Sequence, residues 1–214
     1  MASLIFSHGN GFPASTYRSL TNDLIRRGFK VRSIEKLGHQ EQFPVTSNWP
    51  HLVQELAEFA KQSIQETGET PYMVGHSLGG LLSLMCASRH PKLCAGVVLL
   101  DSPVVGGWKA SALQLAKKTN WIESVSPGRI SQTRRQHWPD VEAVIAHFQH
   151  KRAFSHWHPD ALRDYAEHGT IDEDGQRVLS FDRRIETAIY NTLPHNLPSL
   201  LKRHPLKCGV AFVG

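Results

Sequence analysis

Ser77 stands between glycines in the stretch YMVGHSLGGLL, residues 72–82, with one apolar run before it and another after it. A serine hydroxyl is almost un-ionised at neutral pH, so it becomes a useful nucleophile only where the chain exposes it and a base sits beside it. Gly75-His76-Ser77-Leu78-Gly79 between a strand and a helix supplies the first condition. Small flanking residues allow a sharp, strained turn that lifts the oxygen above a sheet, and the helix that follows aims its first N–H groups at developing negative charge. Gly80 lets that helix pack closely. The chemistry is attack on a carbonyl carbon. The plainer alternative is a tight strand-to-helix turn with an incidental serine.

A second stretch, SHGNGFP at 7–13, is another glycine-supported turn after a short apolar run. A tetrahedral oxyanion needs backbone donors from two places, one beside the nucleophile and one from a neighbouring loop. The Leu78 N–H is the expected first donor and the Asn10 N–H the second, with Gly11 close behind. His8 and Gly9 are expected to support the loop, His8 by a bracing hydrogen bond.

A base is harder to find among the 13 histidines. His39 follows a strand, but the wrong one for a base, and is expected to shape a loop; His76 lies inside the turn itself. His147, His150, His156, His158 and Asp160 cluster in sequence, yet their spacing fits no zinc pattern, so no metal is expected. Asp101 ends a strand, where it could serve as a catalytic acid or, more plainly, accept backbone N–H groups at the start of the next segment.

These residues need a scaffold, and the chain alternates between two periods that describe one. SLIFS (3–7), FKVRSIE (29–35), PYMVGH (71–76) and AGVVLLD (95–101) read as strands. Between them, Tyr17, Leu20 and Leu24, then Leu52, Val53, Leu56, Phe59, Ala60 and Ile64, then Leu78, Leu81, Leu82 and Met85 recur at helical spacing. Strands separated by helices imply an α/β fold, a mostly parallel sheet with helices on both faces. After Asp101 the rhythm breaks into helical pieces, including PDVEAVIAHFQH, and a hairpin signal at Asp174-Gly175. CGVAFVG (208–214) then resumes the pattern of a core strand. Residues 1–101 and 191–214 are therefore expected to form the core and 102–190 a mainly helical cap.

Bulk properties narrow the function classes. In 214 residues, 40% hydrophobic and 20% charged, no segment is long enough to span a bilayer and the start lacks the features of a signal peptide. Three scattered cysteines, Cys86, Cys94 and Cys208, read as buried free thiols of a cytoplasmic protein. The net charge of +5 comes as isolated doublets such as Arg134-Arg135, without a basic stripe, so nucleic acid is not an expected partner. The oligomeric state is open.

Taken together, His8-Gly9, Gly38-His39, GHSLGG, VVLLDSP, the cap and the returning strand resemble the α/β-hydrolase superfamily over almost the whole sequence. The likeness is greatest to lid-bearing serine esterases. It implies an acyl-enzyme at Ser77, no cofactor, and a small-molecule ester or related carbonyl substrate. A serine at position 77 disfavours the branches that use an aspartate there. The resemblance also implies an acid just beyond the last strand and a histidine after one more, and the sequence reaches Gly214 before either. Completing the sheet would take roughly 40–60 residues. The expectation is a C-terminally incomplete hydrolase, inactive by itself, whose N-terminus is also shortened. Cofactor-free acyl transfer, haloperoxidase-type chemistry and a non-catalytic small-molecule-binding module are the alternatives. Trp108, Trp121, Trp138, Phe148, Phe154 and Trp157 could line an acyl pocket or pack the cap, and Arg134 and Arg135 could meet an anion or lie on the surface.

Overall fold

The structure, a computed structural model, describes residues 2–102 and 128–214. Trp108 and Trp121 lie outside the described residues. Five parallel strands form the main sheet in the order β2-β1-β3-β4-β8: β1 (Ser3–Ser7), β2 (Lys30–Ser33), β3 (Tyr72–His76), β4 (Gly96–Leu100) and β8 (Gly209–Val213). All five β1 residues are buried, as an apolar run covered on both faces requires. The direction of travel reverses between β1 and β3, and the crevice at the carboxyl ends of such a pair is where open α/β sheets bind ligands.

Side-chain alternation sends each strand's residues to two cores. On one face Ile5, Met73, Val97 and Leu99 meet α2 (Pro50–Thr67) and α3 (Leu78–Arg89). On the other, Leu4, Phe6 and Val74 pack against Tyr17 and Leu24, the latter in α1 (Arg18–Arg26). Helix α3 is buried from Leu78 to Ser88, so its four-residue apolar stripe understates a helix enclosed all round. Each large apolar side chain removed from water contributes about 1.5–3 kcal/mol, which makes α3 the best-anchored element near the site.

The segment after residue 128 contains α4 (Gly128–Thr133), α5 (Val141–Gln149), α6 (Pro159–His168), α7 (Arg183–Asn191) and α8 (Leu197–Arg203). It also holds a three-stranded antiparallel sheet, β5 (His137–Trp138), β6 (Thr170–Glu173) and β7 (Gln176–Leu179), in the order β5-β7-β6. The β6–β7 turn places Asp174 at φ 52° and Gly175 at φ 78°, the two positive values a tight hairpin needs. Helix α5 starts where Asp140 accepts a hydrogen bond from Ala143 N. Trp138, Phe148, Phe154 and Tyr165 form a separate core under these elements. Phe181 and Ile189 instead join the main core.

Strand β8 departs from the expectation of a core strand. It pairs in parallel with β4, Gly96 opposite Gly209 and Leu100 opposite Val213, but all five of its residues are exposed. An apolar run specifies burial only if something covers it, and β8 is the outermost strand with no helix on it among the described residues.

Candidate active site

The turn between β3 and α3 puts Ser77 at φ 51° and ψ −110°, a conformation that costs a non-glycine residue about 1–3 kcal/mol. Its surroundings over-determine it. The Ser77 N–H donates to Leu100 O at 3.1 Å, and its carbonyl accepts from Leu81 N at 3.3 Å. The glycines are there for space: a Cβ on Gly75 would collide with the Gly79 backbone, one on Gly79 with the Ser7 backbone, and one on Gly80 with the Ser102 side chain. Ser77 is half-buried while Leu78, Gly79 and Gly80 are buried, so the serine is the most accessible point of a closed turn. As the first residue of α3, Leu78 has no carbonyl one turn back for its N–H.

Ser7 of β1 lies in register with Gly75 of β3, so the loops after the two strands leave the sheet at the same level. Asn10 and Leu78 each stand three residues further on. The Asn10 N–H has no acceptor among the described residues, and its side chain is buried, with Nδ2 donating to Glu186 O at 3.0 Å. Asn10 Oδ1 is buried without a partner.

His8 braces this loop from below. Its Nε2 accepts from Leu37 N at 2.8 Å, which leaves the proton on Nδ1 to be donated to Gly9 O at 2.8 Å. Complete burial pushes its pKa down to about 4, so it is neutral at physiological pH. The Gly9 N–H donates to the Tyr17 hydroxyl at 3.0 Å, and that hydroxyl is hydrogen-bonded to His76 Nδ1 at 2.7 Å. Burial lowers the His76 pKa, with the Asp101 charge opposing. Asp101 itself is exposed, adopts φ 39° and donates its N–H to Val213 O at 2.7 Å. His39 joins two loops: its Nδ1 lies 3.3 Å from Leu37 O and its Nε2 accepts from Asp182 N at 3.1 Å, while its ring meets Phe181 edge-on. No described histidine is hydrogen-bonded to Ser77, and His8, His39 and His76 all have other commitments.

Three features go beyond what the sequence reading assigned. Arg134 is not a surface residue: its side chain is 14% exposed and its Nη1 lies 2.7 Å from Glu186 Oε2. A buried carboxylate neutralises it, and sequence proximity to Arg135 carried no hint of that partner. Phe12 packs its ring against Tyr165 and Trp157 at the second, separate core, and Trp138, Phe148 and Phe154 are packing residues of the same core. Glu55, 2% exposed on α2, accepts from Gly38 N at 2.9 Å, and burial raises its pKa to about 7. Its position between Leu52 and Leu56, inside the helix's apolar stripe, was the available signal. His158 caps α6 by accepting from Asp160 N, and among the described residues no group of three or more metal-ligating side chains converges. Cys86 and Cys94 are buried free thiols and Cys208 is half-buried.

A parallel sheet with helices on both faces, a strained serine at a strand-to-helix turn and a second loop beside it define an α/β-hydrolase. Residues 1–168 match the family described as "Serine aminopeptidase, S33", and the chain belongs to that family. It is similar to a monoglyceride lipase of Rattus norvegicus, 30% identical over 61% of this chain and 46% of the lipase. It is also similar to lysophospholipase L2 of Escherichia coli, 31% identical over 50% of this chain and 34% of that protein. The chain thus spans under half the length of these curated relatives. The crystal structure of E-2-(acetamidomethylene)succinate hydrolase shares the fold with a TM-score of 0.65, 20% identity and coverage of 99% of this chain and 82% of that one.

Proposed function

We propose that the protein is a serine hydrolase in which Ser77 Oγ attacks the carbonyl carbon of a carboxylic ester, forming an acyl-enzyme that water then cleaves. The observation carrying this reading is the pairing of a strained, half-buried Ser77 with two N–H groups that have no acceptor among the described residues, Leu78 and Asn10, each three residues beyond the paired Ser7 and Gly75 of adjacent strands. In the tetrahedral intermediate those donors take up the negative charge, and such donors are worth about 10²–10³ in rate. Gly75 and Gly79 make the turn, while His8 and Gly9 hold the second loop. The base that accepts the Ser77 proton is a histidine other than His8, His39 and His76. Residues 1–101 and 191–214 form the catalytic core in this reading, and 102–190 form a cap that selects the substrate. Monoglyceride lipase and lysophospholipase act on esters by their names, which supports an ester as the bond class. Neither a cofactor nor a metal has a part in this mechanism, and a reducing, cytoplasmic setting suits the three free thiols.

The test is labelling of the full-length protein with a fluorophosphonate probe, using Ser77→Ala as control and peptide mapping to locate the adduct. Labelling at Ser77 that the substitution abolishes is the expected result. A folded full-length protein that reacts at no serine would overturn the reading in favour of a non-catalytic binding module.

A further inference from the structure

Three consecutive residues of the second loop are each held by the cap. Asn10 Nδ2 donates to the backbone oxygen of Glu186 on α7 at 3.0 Å. Gly11, at φ +81°, lies so close to the Arg134–Glu186 pair that a Cβ there would stand 2.7 Å from Glu186 Oε1 and 3.2 Å from Arg134 Nη1. Phe12 stacks at 5.1 Å from Tyr165 and 5.7 Å from Trp157, measured between ring centroids. Tyr165 ties the polar and apolar contacts together, because its hydroxyl also accepts a hydrogen bond from Arg134 Nη2. The preceding residues, His8 and Gly9, are fastened to the core instead, through Leu37 and Tyr17. The direction of the Asn10 N–H is therefore set where two anchorages meet.

We infer that Arg134 and Glu186 are positioning residues for the oxyanion donor: the buried ion pair, with Tyr165 behind it, locks Asn10–Phe12 to the cap, so the donor is aligned only while the cap is docked. The inference rests on the hydrolase reading for its catalytic meaning, and on the contacts alone for the coupling of cap to loop. A guanidinium suits the task because its planar fork addresses Glu186 and Tyr165 from two nitrogens at once, which a lysine ammonium does less well. The pair is also enclosed, so the attraction is weakly screened and loss of one partner strands the other away from water.

Two readouts test this on the same samples of the full-length protein: hydrogen exchange at the amides of residues 10–12, and the rate constant of fluorophosphonate labelling at Ser77, supplemented by kcat and KM on an ester. In Arg134→Met the amides of 10–12 should exchange about tenfold faster while those of α3 do not change. Labelling and kcat should fall about tenfold or more, toward the loss seen when an oxyanion donor is removed, with KM within about twofold. R134K should recover part of both. E186Q should be milder, since the bond from Asn10 uses the backbone oxygen of residue 186. Should R134M fail to fold, Phe12→Leu probes the same coupling from the apolar side. A folded R134M or F12L with unchanged exchange at 10–12 and unchanged labelling overturns the inference. A wild-type protein that does not label overturns the hydrolase reading instead, and the exchange data then decide the coupling by themselves.

Discussion

Replacing Glu55 by glutamine should flatten the protein's loss of stability with rising pH. In the folded chain this carboxyl is buried on α2, with Oε2 accepting from Gly38 N at 2.9 Å and Oε1 without a partner. Burial raises its pKa from 4.5 to about 7. Between those values the folded state holds a proton that the unfolded state has released, so stability declines as pH rises. The decline starts near pH 4.5 and is complete just above pH 7. A shift of this size at about 1.4 kcal/mol per unit gives a penalty of about 3 kcal/mol at pH 8.5. Glutamine keeps the acceptor for Gly38 N–H and cannot ionise, but it buries an amide donor in place of Oε1 at a cost of about 1–3 kcal/mol. E55Q should therefore be slightly less stable than wild type at pH 5, equal or more stable at pH 8.5, with the difference between the two proteins changing by about 3 kcal/mol across the range. Urea unfolding at a series of pH values measures this directly. His8, whose pKa is lowered to about 4, contributes the opposite slope: its share of stability is intact above pH 6.5 and is lost as pH falls toward 4. It is present in both proteins and cancels in the comparison. A stability difference that stays constant within about 0.5 kcal/mol from pH 5 to 8.5 would refute the reasoning.

Ser77→Gly should raise stability by about 1–2 kcal/mol while abolishing labelling, because glycine adopts φ 51° without strain; a neutral or destabilising effect in thermal unfolding would remove strain from the account of the turn. Gly79→Ala should be among the most damaging small substitutions, about 2–4 kcal/mol by urea unfolding, since its methyl group would enter the Ser7 backbone. Tyr17→Phe leaves the Gly9 N–H and His76 Nδ1 without partners and should cost about 1–3 kcal/mol; an unchanged urea midpoint would show that water replaces the hydroxyl.

The parts of this molecule that could be read from the sequence are those whose causes are local. Gly75, Gly79 and Gly80 announce a turn because close backbone approach excludes any Cβ, and Asp174-Gly175 announces a hairpin because both residues take positive φ. The helical stripes of α2 and α3 and the apolar runs of β1, β3 and β4 are likewise statements about neighbours in sequence. What stayed hidden depends on residues far apart in the chain. Arg134 and Glu186 are 52 residues apart; the sequence left Arg134 open between an anion site and the surface and did not single out Glu186, and the fold sets the two together beside Gly11. Phe12 could have been counted with the core sheet, yet it packs against the aromatic cluster of Trp138, Phe148, Phe154 and Tyr165. The two-residue β5 is too short to carry any alternation, so the small cap sheet could be anticipated only as a hairpin.

Strand β8 carries one further consequence. Val210, Phe212 and Val213 are 44%, 62% and 58% exposed, and among the described residues no strand pairs with the outer rim of β8. A short, uncharged, β-branched edge of this kind is a template on which another extended chain can grow. Among the described residues, this margin is where strand addition by another chain has least to overcome. A single lysine placed there would act as a gatekeeper against aggregation, without touching the serine or the loop beside it.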